Sequence, residues 1–412
     1  MAQPSYWVET LGCPKNQVDS DKLVGTLEAD GMTRAGSADE ADLVVVNTCA
    51  FIESARQESV ETVLALADAK RDGARIVVTG CMAERYGDEL ADALPEADLV
   101  AGFGVPVTLG RKPDVPALDL LNLPRPKSSA PWAYVKIAEG CDRSCGFCAI
   151  PSFRGKQRSR SLDAILGEVD ALEAQEIVLV AQDLASYGRD LGHAGAIVDL
   201  VEQVAARVAR TRLLYLYPSD LSDALIDAVV ATGVPYFDLS LQHVSKPLLR
   251  RMRRWGDGGR FLARIDAIRQ RCPDAAFRSN FIVGYPGETE ADHDQLLAFV
   301  EAAQLDWCGF FSYSKEGGTY AADLDGEVSA HLMAERLVEL SMLQDAITAR
   351  RRQALLGETV EVLVDAPGVG RTHREAPEID GIVHVPDTLP VGQFAKVVVT
   401  GATGPDLEAE SA

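Results

Sequence analysis

The sequence predicts an α/β protein with three parts: an N-terminal parallel α/β sheet domain, a central partial (β/α)6 barrel and a small C-terminal antiparallel β-barrel. Short apolar runs alternate with longer helical stretches from residue 6 to about 103 and from about 132 to 356, which is typical of parallel strands with crossover helices. After residue 357, strand-like segments are separated by Gly and Pro. A chain of 412 residues also exceeds the size of one hydrophobic core.

The N-terminal domain is expected to cover residues 1–112. Its predicted strands are YWVET, DLVVVNT, ARIVVTG and DLVAGFG, with helical stretches between them. Cys13, Cys49 and Cys81 each lie just past the carboxyl end of one of these strands. Because those ends share one edge of a parallel sheet, where ligands bind, we expect the three thiols to converge. The alternative is that they are three buried packing residues.

Residues 113–131 are rich in proline and predict a linker. The central domain, residues 132–356, contains six strand-helix units, fewer than the eight that close a barrel. We therefore expect an open partial barrel whose active face lies at the carboxyl ends of its strands. Residues 357–412 are expected to form the small terminal barrel, with ten acidic and three basic residues.

The formal net charge of -22 argues against general affinity for nucleic acid, because phosphate binding depends on Lys and Arg. A basic protein is a more natural partner, although acidic surfaces also serve solubility alone. The chain opens without a basic segment followed by an apolar block, and no window approaches about 18 uncharged residues. The sequence therefore predicts a cytoplasmic protein with no membrane partner. In that reducing compartment the eight cysteines are expected to serve metal binding, catalysis or packing.

The stretch EGCDRSCGFCAIP places Cys141, Cys145 and Cys148 after the first predicted strand of the central domain. No second CxxC pair or nearby HxxxH accompanies them, which disfavours a zinc site. Three thiolates can hold a 4Fe-4S cluster with one iron left open, and a small molecule with amine and carboxylate groups can chelate that iron.

The CxxxCxxC spacing, with Phe147 before the last cysteine, resembles the signature of the radical S-adenosylmethionine (SAM) superfamily. The resemblance implies that SAM occupies the open iron and is cleaved to a 5'-deoxyadenosyl radical. It also implies SAM contacts from Gln182, from Gln242, and from Val283 and Gly284 in FIVGYPGE; ordinary strand-end and turn residues are the alternative. No catalytic side chain is assigned.

The two cysteine groups and the terminal barrel together resemble the methylthiotransferases, whose terminal barrel is of the TRAM type. That resemblance implies a second, auxiliary 4Fe-4S cluster on Cys13, Cys49 and Cys81. The stretches EGCDRSCGFCAIPSFRG, AQDLASYG, FDLSLQH and REAPEIDG resemble the RimO branch, which modifies the β carbon of an aspartate in small-subunit ribosomal protein S-twelve. The implied partners are that protein, free or in the small subunit, and a reducing protein such as flavodoxin or ferredoxin.

Two other functions stay open from the sequence: a transfer RNA adenosine methylthiotransferase and a non-enzymatic iron-sulfur protein. Two basic runs, FRGKQRSR and RRMRRWGDGGR, are expected to lie mostly in solvent; the alternative is that they contact the SAM carboxylate, the substrate aspartate or nearby ribosomal RNA. Arg154 and Arg158 are the better candidates for site contacts, because they lie near the cysteine loop. His243 is the one histidine expected at the active face, and Cys272 and Cys308 are expected to be packing residues.

Overall fold

The computed structural model describes residues 3–103, 105, 107 and 119–412. The predicted domain boundary at 112 and the first part of the predicted linker, 113–118, lie outside those residues. In the described part of the linker, Lys22 Nζ donates to the Leu123 carbonyl at 2.7 Å, and Arg125 Nε lies 3.0 Å from Glu168 Oε1. These contacts attach the segment both to the N-terminal domain and to the central domain.

The N-terminal domain is a five-stranded, all-parallel sheet in the order β2-β1-β3-β4-β5. The central strand, LVVVNT, is buried at all six positions, which suits β-branched residues between two helical layers. The strands are β1 (Ser5–Thr10), β2 (Thr33–Arg34), β3 (Leu43–Thr48), β4 (Arg75–Gly80) and β5 (Leu99–Ala101), and the helices are α1 (Pro14–Ala29), α2 (Glu53–Ala69) and α3 (Cys81–Ala93).

The central domain has six parallel strands in two three-stranded sheets, β10-β9-β6 and β11-β12-β13. One parallel bridge, Leu216 to Leu239, joins the sheets into a partial barrel. In chain order the strands are β6 (Trp132–Lys136), β7 (Ala138–Glu139), β8 (Arg158–Ser159), β9 (Glu176–Val180), β10 (Arg210–Leu213), β11 (Tyr236–Gln242), β12 (Ala276–Val283) and β13 (Trp307–Ser312), of which β7 and β8 form a separate antiparallel pair.

Eight helices are described in the central domain, and several begin at a serine or threonine whose side chain accepts from the first turn, as helix starts favour. They are α4 (Ile150–Arg154), α5 (Leu162–Leu172), α6 (Ala196–Ala205), α7 (Asp223–Ala231), α8 (Lys246–Arg251), α9 (Gly258–Arg271), α10 (Glu290–Ala303) and α11 (Ala330–Gln353). None of the helices in the described part of the chain combines the length and the apolarity that crossing a bilayer requires.

The terminal barrel is closed, in the order β14-β15-β16-β18-β17. Four of its pairings are antiparallel, and the fifth, which places Val383 opposite Leu407, is parallel. Its strands are β14 (Thr359–Ala366), β15 (Val369–Arg371), β16 (Val383–His384), β17 (Phe394–Thr403) and β18 (Asp406–Ser411). The predicted fold class is confirmed, with the single parallel pairing as the departure from a fully antiparallel barrel.

The segment REAPEIDG, residues 374–381, fills the inside of the partial barrel. Its Ala376 and Ile379 pack in one apolar cluster with side chains from several barrel strands, including Tyr134 and Tyr236. The Arg374 carbonyl accepts from the Trp307 indole N–H at 2.7 Å, and the Pro377 carbonyl accepts from the Tyr134 hydroxyl at 2.9 Å. This segment therefore packs into the space that a barrel of only six strands leaves open.

Buried ion pairs join the terminal barrel to the central domain. Glu176, at the start of β9, accepts from Arg212 Nε at 2.7 Å and from Arg371 Nη1 at 3.1 Å, and none of the three side chains is more than 2% exposed. Glu375 pairs with Arg352 of α11 in the same way. Buried charges are stable only when they are paired, so these contacts fix how the two domains meet.

Candidate functional site

Six of the eight cysteines line one cavity of about 590 Å³ between the N-terminal sheet and the mouth of the partial barrel. Cys13, Cys49 and Cys81, here called the N-terminal triad, come from one side. Cys141, Cys145 and Cys148, here called the central triad, come from the other. The structure thus brings all six predicted metal ligands to one space.

Strand register explains why the N-terminal triad converges. Thr10 of β1 pairs with Asn47 of β3, and Thr48 of β3 pairs with Gly80 of β4, so the three strands end side by side. Each cysteine follows one of those ends. Gly12 has a positive φ of 98°, and a Cβ atom at this residue would lie 3.0 Å from Cys49 Sγ. The glycine therefore keeps space open beside that thiol.

The central triad lies in the loop between β7 and α4, and Arg143 anchors this loop from within. The Arg143 guanidinium donates to Asp183 at 2.6 Å and to Ser186 at 3.1 Å, and it also pairs with Asp220. The amide of Gly146 donates to the Met252 carbonyl at 2.8 Å. These contacts hold the loop against the strand ends of the barrel.

Nitrogen donors approach the sulfur atoms in both triads. Arg154 Nη2 lies 2.9 Å from Cys81 Sγ, Arg254 Nη1 lies 3.2 Å from Cys145 Sγ, and the Arg143 amide lies 3.4 Å from Cys141 Sγ. Hydrogen bonds of this kind stabilise thiolates and tune iron-sulfur clusters. The donor set therefore suits cysteines that act as cluster ligands.

Burial weakens the acidity of several of the cavity thiols. It raises the pKa of Cys49 and of Cys141 to about 11 and that of Cys148 to about 12. Burial also acts on Cys13, but the charge of Lys15 and the amide of Asn16 outweigh it and lower the pKa of that thiol. Buried thiols such as Cys148 keep their protons until a metal displaces them.

The thiols are not arranged around a single ion. Across residues 3–103 and 119–412, no three His, Cys, Asp or Glu side chains come close enough to bind one metal ion together. A mononuclear zinc site needs such a group. In a 4Fe-4S cluster each thiolate binds a different iron, so the ligands lie farther apart. The described residues therefore contain no ligand group of the zinc type.

Arg154 connects the two sides of the cavity. Its guanidinium lies 3.0 Å from Glu139 and 3.1 Å from Asp19, and it donates to Asn16 Oδ1 at 2.8 Å as well as to Cys81. Burial would raise the pKa of Glu139, but Arg154 and Lys136 hold it well below its usual range. The neighbouring Arg158 is exposed and contacts only a backbone carbonyl among the described residues. Of the two arginines predicted near the site, Arg154 alone lines the cavity.

The residues expected to contact SAM divide into two groups. Gln182 and Gln242 line the cavity. Gln182 donates to Glu139 at 2.6 Å, while its own carbonyl oxygen is buried without a partner among the described residues. Val283 is buried and Gly284 donates to Glu288 at 2.5 Å. Neither of these two lines the cavity, although Ile282 does.

Sequence reasoning missed several residues that line the cavity. The Tyr217 ring lies between two guanidinium groups, with Arg143 4.0 Å and Arg254 4.4 Å from its centroid. Lys15 Nζ lies 3.4 Å from the centroid of the Tyr215 ring. The position of Arg143 between two triad cysteines was an available signal, and Arg254 lies in the basic run RRMRRWGDGGR, which was expected to lie mostly in solvent.

The remaining predicted residues lie elsewhere. His243, expected at the active face, is fully buried and does not line the cavity. Its Nδ1 accepts from the Ser245 amide at 3.1 Å, and burial lowers its pKa to about 4. Cys272 and Cys308 are half-buried and pack against the core of the central domain.

Three consecutive segments of the chain match known protein families. Residues 5–102 match the uncharacterized protein family UPF0004, residues 135–300 match the radical SAM superfamily, and residues 356–411 match the TRAM domain. The two triads lie in the first two of these ranges. The closed five-stranded barrel lies in the third.

Curated relatives match over almost the whole chain. A protein of Kineococcus radiotolerans, called ribosomal protein uS12 methylthiotransferase RimO, is 42% identical over 97% of this chain and 96% of its own. Proteins of the same name from Saccharopolyspora erythraea and Moorella thermoacetica are 41% and 42% identical over 97% and 95% of this chain and 93% and 96% of theirs. Among solved structures, a radical SAM methyltransferase from Kitasatospora setae, TsrM, is 14% identical with a TM-score of 0.49, over 90% of this chain and 80% of that one. That structural likeness supports no conclusion about function.

Proposed function

The chain belongs to the RimO family of radical SAM methylthiotransferases, and from that premise we propose that it adds a methylthio group to the β carbon of an aspartate in ribosomal protein uS12. The observation that carries the proposal is the single cavity shared by two cysteine triads. A non-enzymatic iron-sulfur carrier has no need for such a cavity, because carriers close all four corners of their clusters.

We assign one 4Fe-4S cluster to each triad. When bound, the cluster on the central triad supplies the electron that cleaves SAM, and the cluster on the N-terminal triad supplies an iron that carries sulfur. The protein keeps these two sites around one space, since a radical that had to diffuse would be quenched before it met the sulfur. The buried contacts of Arg154 with Glu139 of the central domain, and with Asp19 and Cys81 of the N-terminal domain, join the two walls that carry these sites.

Gln182 is the best-supported SAM contact. Gln182 lines the cavity, and its carbonyl oxygen is buried without a partner among the described residues, so a rotation of this side chain would offer an acceptor to the amino group of SAM. Gln242 ends β11 with a positive φ of 71°, an uncommon conformation that turns a strand-end side chain toward the same space. Val283 and Gly284 stay proposals as backbone contacts to adenine.

Part of the cavity wall is apolar. Aromatic and aliphatic side chains from both domains line it, among them Phe51, Ile52, Phe147, Ile282 and Phe311. Apolar surface next to a bound substrate limits the access of water, which protects a carbon radical from side reactions. Two SAM molecules are needed in turn, one for the methyl group and one for the radical.

The surface of the terminal barrel supports a basic protein as substrate. Among residues 357–412, six acidic side chains are exposed against one exposed basic side chain, Lys396; the acids are Glu358, Glu361, Glu378, Asp387, Glu408 and Glu410. Such a surface attracts a basic ribosomal protein and repels a phosphate backbone. This favours uS12, free or in the small subunit, over transfer RNA.

Reconstituted enzyme should add a methylthio group to a uS12 peptide in the presence of SAM, sulfide and a reductant such as flavodoxin or ferredoxin. Mass spectrometry of the peptide is the measurement, and Cys145→Ala is the control that should stop SAM cleavage while the N-terminal cluster stays. Iron analysis of the triple alanine variant at the N-terminal triad should show about half of the wild-type iron. Methylthioadenosine in bulk RNA that disappears on gene deletion, without any change in the peptide, would refute the assignment.

A further inference from the structure

We propose that Lys15 forms a carboxylate-binding subsite in the cavity and reads the side chain of the substrate aspartate. This inference rests on the proposed function, since it identifies the group that separates aspartate from other side chains. Lys15 follows the N-terminal triad member Cys13 by two residues and lines the cavity. It therefore lies on the side where the sulfur would be transferred.

The charges of the cavity single out Lys15. Five basic side chains line the cavity, namely Lys15, Arg143, Arg154, Arg254 and Arg278. Three of the arginines are paired with carboxylates: Arg143 with Asp183 and Asp220, Arg154 with Glu139 and Asp19, and Arg278 with Asp238 and Asp380. Arg254 donates to Cys145 and to the Ser240 carbonyl.

Of these five side chains, Lys15 and Arg254 pair with no carboxylate in the described ranges, and only Lys15 also donates no side-chain hydrogen bond there. Its ammonium lies over the Tyr215 ring, 3.4 Å from the centroid, and no carboxylate in the described ranges lies within ion-pair distance of it. A ring face attracts a cation but takes none of its three N–H donors in a strong hydrogen bond. The ammonium is thus positioned while its donors stay available to a ligand.

Tyr215, whose ring lies under the Lys15 ammonium, has an uncommon backbone conformation. Tyr215 has a positive φ of 66°, which is an outlier for a bulky residue. The conformation is fixed because the Tyr215 amide donates to the buried Asp238 carboxylate at 2.9 Å. Strain of this kind persists where the surroundings enforce it, often at ligand sites. Here it brings an aromatic ring under an unpaired ammonium.

A carboxylate is the ligand that this arrangement suits. In the proposed function the carboxylate of SAM chelates the open iron at the central triad, so the free ammonium on the opposite side is left for the substrate. An aspartate bound there through its carboxylate would present the neighbouring β carbon to the cavity. Asparagine has nearly the same shape without the charge, and it would lose the charge-assisted hydrogen bond.

The test compares three uS12 peptides that carry Asp, Asn or Ala at the modified position. Their affinities for the reconstituted enzyme are measured by fluorescence anisotropy with SAM and without reductant, so that no turnover occurs. Wild-type enzyme should bind the Asp peptide at least tenfold more tightly than the Asn peptide. Lys15→Met should abolish that preference, and Lys15→Arg should keep part of it.

Lys246→Met is the matched control, because Lys246 is an exposed lysine outside the cavity; it should leave the preference unchanged. The inference is overturned if wild-type enzyme binds the Asp and Asn peptides equally, or if Lys15→Met keeps the wild-type preference. It is also overturned if Lys15→Met weakens SAM binding alone. Failure of wild-type enzyme to modify any uS12 peptide would instead overturn the proposed function.

Discussion

Replacing Arg154 by Met should destabilise the junction between the N-terminal and central domains. The guanidinium of Arg154 is 3% exposed and pairs with Glu139 and Asp19. Removal of one partner from a buried ion pair costs about 3–5 kcal/mol, because the remaining charge stays buried without compensation. Lys136 still lies 2.6 Å from Glu139. We therefore expect a loss near the lower limit, about 3 kcal/mol.

The measurement is urea unfolding of the cluster-free protein, followed by tryptophan fluorescence, with Arg158→Met as the control. Arg158 lies in the same segment and carries the same charge, but it is exposed. In the double variant Arg154→Met, Glu139→Gln, the uncompensated carboxylate is gone, so the combined loss should be smaller than the sum of the single losses by about 1 kcal/mol or more.

Arg154→Met should also change the N-terminal cluster once it is reconstituted. A cationic donor 2.9 Å from Cys81 Sγ favours the reduced, more negative cluster. Its removal should lower the reduction potential of that cluster, as followed by electron paramagnetic resonance during a redox titration, while the central cluster keeps its potential. Equal stability and equal potentials in Arg154→Met and Arg158→Met would refute this account of the junction.

Three further predictions concern the N-terminal triad, acid and the terminal barrel. Gly12→Ala should reduce iron bound at the N-terminal triad without affecting the central triad, because the new Cβ would lie 3.0 Å from Cys49 Sγ on a backbone with positive φ; iron analysis and the SAM cleavage rate separate the two effects. Burial would raise the pKa of Glu176, but Arg212 and Arg371 outweigh it and lower the pKa to about 2. The stability that this pairing gives is complete above the pKa of about 4.3 that Glu has in an unfolded chain, and it is lost as the pH falls toward 2. Limited proteolysis should therefore release the terminal barrel between these two pH values. Glu176→Gln should remove this contribution to stability at every pH. Reversing Glu408 and Glu410 to Lys should weaken binding of the uS12 peptide, most clearly at low salt, whereas unchanged affinity would place the substrate elsewhere.

The sequence could predict where the cysteines of both triads lie relative to the ends of the strands. The hydrophobic pattern located β1, β3 and β4 within a few residues, and the rule that parallel strands end on one edge then brought the N-terminal triad together. The same rule placed the central triad after β6. The positions of the six cysteines could be predicted because hydrophobic periodicity is a local pattern, which a single sequence displays directly.

Contacts between distant segments could not be predicted in this way. Arg254 and Glu316 line the cavity from loops more than 100 residues beyond the central triad. Arg254 belongs to the basic run RRMRRWGDGGR, but no local pattern distinguishes it from the exposed charges of that run, and none marks Glu316. His243 is the opposite case: it follows a strand end, as site residues do, but it turns into the core next to Ser245. The side-chain direction after a strand depends on packing that the sequence alone does not reveal.

The segment REAPEIDG shows how tertiary packing changes the meaning of a motif. In the sequence it resembles a signature of the RimO branch, with no position in the fold assigned to it. In the structure its Glu375 and Asp380 are paired in the interior, and Ile379 reaches the cavity from the terminal barrel. The terminal barrel is therefore part of the cavity wall. A change that loosens its docking, such as loss of the Arg371 to Glu176 pair, must alter the shape of the space between the two triads even though no cavity residue is replaced.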